Sequence, residues 1–256
     1  LYLAVTIGPA GLAQAPDPDA LYRQRENIAA AKQAADIWGG RAAGGTDFES
    51  AWKLARACYW IGTHAPDAER RVALDRGVKA GEQAVKLNAG KPEGHFWLAA
   101  NMGALAESFG MWQGLKYRGR IKDALEQALK IDPAWQQGSA DRALGRWYFR
   151  VPGLFGGSTA KAKEHLQRAL NYNPNSTVTL FFLADVAIEE RKYADARTLL
   201  QRVLDAPEDP EWGPEDRDFK RQAREKLSAL PAKDAPESVR GTQYAGTRNL
   251  YRVSFL

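Results

Sequence analysis

The sequence predicts an all-α fold, a right-handed solenoid of about four degenerate helical hairpins with a leading helix and a C-terminal capping helix. Three observations predict it. Apolar residues recur at threes and fours, and the period-two alternation of half-buried strands is nearly absent. One helix ending is written four times, as Glu82-Gln83-Ala84-Val85-Lys86-Leu87, Glu126-Gln127-Ala128-Leu129-Lys130-Ile131, Gln167-Arg168-Ala169-Leu170-Asn171-Tyr172 and Gln201-Arg202-Val203-Leu204. Aligned on Ala84, Ala128, Ala169 and Val203, these endings stand 44, 41 and 34 residues apart, within the range of stacked helical repeats.

The elements follow in chain order. Over 18–38, Leu21, Ile28, Ala31, Ala35 and Trp38 mark one helix face, and Gly39 and Gly40 suit its C-terminus. Each repeated ending is preceded by a first helix, over 52–61, 96–105, 141–150 and 180–189. Small residues are expected where the two helices of a hairpin approach closely. They fall around Ala55, Ala99 and Ala100, Gly145 and Ala184 on the first helices, and at Gly77, Ala162 and Ala196 on the second; Arg56 and Ile121 are the imperfect places. The 34-residue spacing equals the tetratricopeptide period, and the last repeat is the cleanest, with Lys192-Tyr193-Ala194-Asp195-Ala196 turning straight into its second helix. Such a hairpin cannot bury its apolar face alone, so neighbours must stack. Residues 214–230 read as the capping helix, with Phe219, Ala223 and Leu227 on one face. The expected organisation is a signal-peptide remnant at 1–15, a tetratricopeptide-like domain at 16–230, and a basic, disordered tail at 231–256.

Composition narrows the function classes. The 36 basic and 31 acidic residues are interleaved, as on solvated helix faces, and no basic block carries a nucleic-acid motif. Cys58 is the single cysteine, so an internal disulfide or thiolate zinc cluster is excluded, and its apolar neighbours make it a packed residue. Residues 1–15 carry no charge, begin with an apolar run and end in Ala13-Gln14-Ala15, small residues where a signal peptidase cuts. The expectation is a soluble, exported protein with neither a lipobox cysteine nor a transmembrane segment.

Departures from the period, around 63–72, 110–118 and 151–158, are expected to be loops on one face. Gly156-Gly157-Ser158-Thr159 before a helix could offer backbone N–H groups to an anion, with Lys161 and Lys163 nearby and Phe155 completing the loop candidates. It lacks the phosphate-loop pattern, and a glycine turn capped by Ser158 or Thr159 explains it with less strain. His64, His95 and His165 lie far apart with no partner at ligand spacing, so neither a metal nor a cofactor is expected. No nucleophile elbow or acid/base pair stands out, and the expected class is non-enzymatic.

Three stretches carry a family resemblance: Gly94-His95-Phe96-Trp97-Leu98-Ala99-Ala100-Asn101, Asp141-Arg142-Ala143-Leu144-Gly145-Arg146, and Pro152-Gly153-Leu154-Phe155-Gly156-Gly157-Ser158. Together they resemble the T-component family of tripartite ATP-independent periplasmic (TRAP) transporters. With Trp52-Lys53-Leu54-Ala55-Arg56-Ala57 they are also similar to the animal regulators of microtubule dynamics. The resemblance implies a periplasmic helical-repeat adaptor, a TRAP solute-binding protein as partner, and a homo-oligomer in some members.

In a tetratricopeptide array the first helices line the concave groove. The register places Lys53, Ala57 and Trp60 there, then Trp97, Asn101 and Leu105, then Arg142, Arg146 and Phe149, then Phe181, Asp185 and Ile188. Arg142, Arg146 and Arg150 share one helix face at spacings of four. Beside Trp97 and Asn101 they suit a small apolar or acidic ligand, or a peptide. Equally, they could pair with Asp141, Glu107 and Asp185 of neighbouring helices. The function expected is partner binding through this groove; the alternative is a scaffold for a cell-envelope complex with no small-molecule ligand.

Overall fold

The computed structural model describes residues 16–109 and 111–231, and of residues 111–113 and 115 the backbone alone. The signal-peptide and tail expectations at 1–15 and 232–256 lie outside the described residues. Those residues form eleven α-helices and no strand: α1 (Pro18–Arg23), α2 (Ile28–Ala42), α3 (Phe48–His64), α4 (Asp67–Leu87), α5 (Pro92–Ser108), α6 (Met111–Ile131), α7 (Trp135–Arg150), α8 (Thr159–Tyr172), α9 (Thr177–Glu189), α10 (Tyr193–Asp205) and α11 (Gly213–Ala229). The four hairpins α3/α4, α5/α6, α7/α8 and α9/α10 are the four repeats, and the fold is the all-α solenoid that the periodicity predicts.

The leading segment departs from expectation. One helix was predicted, but the chain breaks at Gln24 and restarts at Asn27, whose side chain accepts a hydrogen bond from the Ala29 N–H at 3.1 Å. An N-cap asparagine of this kind competes with helix continuation. Gly39 and Gly40 do not close α2, which runs on to Ala42. Gly39 instead makes room, since a Cβ there would run into the Arg76 guanidinium. That guanidinium bonds Asp36 at 2.9 Å and the Ala35 carbonyl at 3.2 Å.

The extra length of the early repeats is helical, contrary to the loops expected there. Second helices α4 and α6 have 21 residues each, against 14 in α8 and 13 in α10. The connection expected at 63–72 shrinks to Ala65 and Pro66. Only the third departure is a true loop, a 3-10 turn at Gly153–Phe155 followed by Gly156 at φ 102°. Gly157 has no alternative there, because a Cβ would collide with the Val151 carbonyl oxygen. Ser158 caps α8, accepting from the Lys161 N–H at 3.3 Å, and Leu154 stands 90% exposed at the loop tip.

Close approach occurs between hairpins as well as within them. Gly77, expected to face its own partner helix, lies against Asn101 of the next hairpin, and a Cβ on Gly81 would come within 2.7 Å of the Leu98 Cα. The interior divides into two large apolar bodies that meet at α7 and α8, and a small third cluster of Ala42, Ala51 and Ala84. The first runs from Tyr22 to Ala162 and holds Trp38, Phe96, Trp97, Leu105 and Trp147; the second runs from Leu166 to Leu230 around Phe181, Phe182 and Phe219. Phe149 packs against both. Burial of apolar area is the main favourable contribution to folding in such an array.

The last helix does more than cap the stack. Phe219 of α11 packs against Phe181 and Phe182, with ring centroids 5.3 and 6.0 Å apart. From there α11 reaches the turn between α1 and α2. Arg25, between α1 and α2, donates to Glu215 Oε1 at 3.0 Å and to the Glu211 carbonyl at 2.8 Å. Arg217 donates to both Glu26 carboxylate oxygens, at 3.0 and 2.6 Å. The first and last turns of the coil are therefore clasped together.

Candidate functional site

The clasp turns the inner curve of the coil into a chamber of about 310 Å³. Its walls come from the first helices of the hairpins and from the first and last described helices: Tyr22 of α1, Tyr59 of α3, Phe96 and Trp97 of α5, Arg142 of α7, Thr177 and Val178 of α9, and Trp212 and Phe219 at α11. First-helix positions face inward because each hairpin presents the same helix to the same side.

The entry to α7 forms part of the wall and is backbone-strained. Gln136, Gln137 and Gly138 have φ values of 45°, 58° and 75°, a left-handed run that costs non-glycine residues of order 1 kcal/mol each. Side-chain bonds hold it in place. Gln137 Nε2 donates to Asp209 at 3.0 Å and Asn173 Nδ2 donates to Gln137 Oε1 at 2.6 Å. Gly138 is further constrained, since a Cβ would meet the Tyr172 ring at 2.7 Å.

The charges of the wall are unevenly satisfied. Glu215 is held by Arg25, Asp216 accepts from Thr177 Oγ1 at 2.5 Å and from the Asp209 N–H at 2.8 Å, and Glu208 accepts from Arg217 at 2.8 Å. Burial lifts Glu215 and Asp216 above their ordinary carboxylate values, against the pull of those donors. Burial also raises the Tyr22 hydroxyl to about 12. Arg142 is only 6% exposed, and among the described residues it has no hydrogen bond or ion pair; Arg142 Nε and Trp97 Nε1 are buried without a partner. Desolvation pushes the Arg142 guanidinium down to about 10.

The structure separates the residues that the sequence grouped. Trp97 and Arg142 line the chamber. Trp60 is buried behind it, its Nε1 donating to the Arg25 carbonyl at 2.6 Å, where it braces the clasp. Asn101 turns toward α3, with Nδ2 donating to the Ala55 and Trp97 carbonyls at 2.9 and 2.8 Å. Arg146 is 1% exposed and ion-paired, at 3.0 Å to Asp185 and 3.7 Å to Glu107, so it takes the pairing alternative. Lys226 also binds Asp185 and lies 4.5 Å from the Phe181 ring centre. Phe181 is fully buried. Phe149 is half-buried at the joint between the two apolar bodies, and Arg150 is exposed apart from a 3.3 Å contact with Glu107. The loop residues Phe155, Gly156, Gly157 and Ser158 lie beyond the chamber wall, with the Arg118 guanidinium 5.0 Å from the Phe155 ring centre. Cys58 is buried, and burial raises its thiol to about 12.

Sequence reasoning missed Tyr22, Tyr59, Gln136, Thr177, Trp212 and Asp216. The signals available were the glycine closing Trp135-Gln136-Gln137-Gly138 and the two prolines of Pro207-Glu208-Asp209-Pro210, both marks of broken helix next to a first helix.

Stacked hairpins enclosing a chamber along their first helices define a tetratricopeptide-type helical-repeat protein. A tetratricopeptide repeat model matches residues 156–213. A crystal structure of a thermophilic TPR protein from Thermus thermophilus superposes with a TM-score of 0.61 at 17% identity, covering 82% of this chain and 97% of that one. More particularly, the model described as Regulator of microtubule dynamics protein 1-3 matches residues 20–155, more than half of the chain, and the chain belongs to this family. Regulator of microtubule dynamics protein 1 of Caenorhabditis elegans is 23% identical over 175 residues, covering 61% of this chain and 75% of the relative. The two family matches adjoin in the loop between α7 and α8, close to where the two apolar bodies meet. Among the described residues, no helix is long and apolar enough to cross a membrane.

Proposed function

We propose that the chain is a non-enzymatic binding adaptor that receives part of a partner molecule in its inner chamber. The observation that supports this reading is the chamber wall, drawn from α1, α3, α5, α7, α9 and α11 and supplied with buried polar atoms that the protein itself leaves unpaired. Buried polar groups are nearly always satisfied, so unpaired ones around a cavity mark a place for a ligand.

The partner we propose is an exported solute-binding protein of the TRAP type. The grounds are the uncharged residues 1–15 ending in Ala13-Gln14-Ala15 and the T-component-like motifs. The test is capture from periplasmic extract on the immobilised chain, wild type against Val178→Trp. Val178 lines the chamber, so a bulky side chain there fills it while circular dichroism confirms the helices. The expected result is recovery of a solute-binding protein by the wild type and its loss with the filled chamber. Recovery of envelope-assembly components, undiminished by Val178→Trp, would instead establish the scaffold alternative. Co-sedimentation with microtubules, named in the description of the Caenorhabditis elegans relative, would replace the exported partner.

A further inference from the structure

We infer that the chamber is a carboxylate site, in which Arg142 receives the acid group of a ligand whose apolar body lies against Tyr22, Trp97, Trp212 and Phe219. The inference rests on the reading of the chamber as a binding site and names the chemistry it selects.

Three observations carry it. The first is the position of Arg142, in the chamber wall, 6% exposed and without a hydrogen bond or ion pair among the described residues. A guanidinium removed from water without a hydrogen-bonded partner carries a desolvation cost that the attraction of Asp216 only partly offsets, and a carboxylate bonded to it relieves that cost. The second is the state of the opposing acids. Glu208, Asp209, Glu215 and Asp216 also line the chamber, but each already accepts a hydrogen bond, from Arg217, Gln137, Arg25 and Thr177 respectively. None of them makes a hydrogen bond or ion pair with Arg142, although Asp216 still attracts its guanidinium. They do limit the ligand: one unpaired cation facing four carboxylates suits a single negative charge and disfavours a phosphate dianion. The third is the shape and lining. A planar fork of N–H donors matches the two coplanar oxygens of a carboxylate. The aromatic rings around it and the buried Trp97 Nε1 suit an apolar or aromatic body of modest size.

A carboxylate of this kind comes either from a free organic acid or from the C-terminus of a peptide. Calorimetric titration with 3-phenylpropanoate and 3-phenylpropanamide, and with a short peptide ending in phenylalanine as acid and as amide, distinguishes the two. The expected result is an acid form that binds about tenfold or more tightly than its amide, the effect of a charge-assisted bond. Arg142→Met should erase that preference and Arg142→Lys should keep part of it, with unchanged helical circular dichroism in both. Preference shown by the peptide pair alone identifies a protein terminus; preference shown also by the phenylpropanoate pair identifies a small acid. Equal binding of acid and amide, no binding of either acid, or a preference that survives Arg142→Met would overturn the inference. Partner capture abolished by Val178→Trp would leave the adaptor reading standing even then. Conversely, acid binding at Arg142 with capture untouched by Val178→Trp would remove that reading alone.

Discussion

Arg142 and Arg146 stand one turn apart on α7, and both are withdrawn from solvent, with 6% and 1% exposure. Their surroundings differ in what faces the charge. Arg146 meets Asp185 of α9 and Glu107 of α5 and stacks 4.6 Å from the Phe182 ring centre, so it ties the two apolar bodies together across their joint. Arg142 lines the chamber and has no ion pair among the described residues. Removing Arg146 leaves Asp185 to Lys226 and Glu107 to Arg150, with one buried cation fewer to balance the two acids, whereas removing Arg142 breaks no ion pair. Arg146→Met is therefore expected to lower the unfolding free energy by about 3 kcal/mol, and Arg142→Met to leave it unchanged or raise it by about 1 kcal/mol. Urea unfolding of the ligand-free variants measures both. Equal losses would mean that Arg142 is structurally paired and would remove it from the site. The spacing of four made the two arginines look equivalent in the sequence. What separates them is the acids on α5 and α9, and no local pattern reports which of two neighbouring turns those acids reach.

At the scale of the helices, far more was legible. Every first helix and every repeated ending fell within a described helix, because amphipathic spacing and stacking impose the same register on each hairpin. The misses lie where a side chain or a tight approach overrides the period: the Asn27 cap that splits the leading helix, the left-handed entry at Gln136 and Gln137, and Gly39 of α2, which serves packing rather than termination. The α4/α5 contact makes this testable. Gly81 sits where a Cβ would press on Leu98 at 2.7 Å from its Cα, and backbone there cannot move aside as a flexible side chain could; around Gly40 there is nothing within 4 Å. Alanine in place of glycine favours a helix interior by about 1 kcal/mol. Gly40→Ala should realise most of that gain as a higher melting temperature. Gly81→Ala should lose more than it gains, a net destabilisation of about 1–2 kcal/mol, because α4 and α5 must part. Thermal unfolding of the two single variants decides it, and stabilisation by Gly81→Ala would show that the two helices are not held that close.

For the molecule as a whole, the question is whether the coil behaves as a chain of neighbours or as a closed ring. An open solenoid is close to a sum of repeat and nearest-neighbour terms and can fray from either end. The clasp adds contacts between residues 186 to 191 apart in the chain, which no periodicity predicts and which make the chamber a property of the closed form. Its two halves are unequal. Arg25 is 4% exposed and bonds Glu215 and the Glu211 carbonyl, whereas the Arg217 and Glu26 side chains are 46% and 54% exposed. Arg25→Ala strands Glu215 and should cost about 3 kcal/mol or more. Glu26→Ala, an exposed and salt-screened pair, should cost under about 1 kcal/mol. Spin labels on Arg23→Cys and Arg221→Cys then report the ring directly. Cys58 is buried with its thiol raised to about 12, so labelling falls on the introduced cysteines. Opening predicts a broadened, longer distance distribution in Arg25→Ala and an unchanged one in Glu26→Ala. If Arg25→Ala lowers stability while the distance stays fixed, the two turns are held instead by Trp212, which precedes α11 and packs against the first apolar body. The chamber would then owe its closure to that apolar contact rather than to the ion pair.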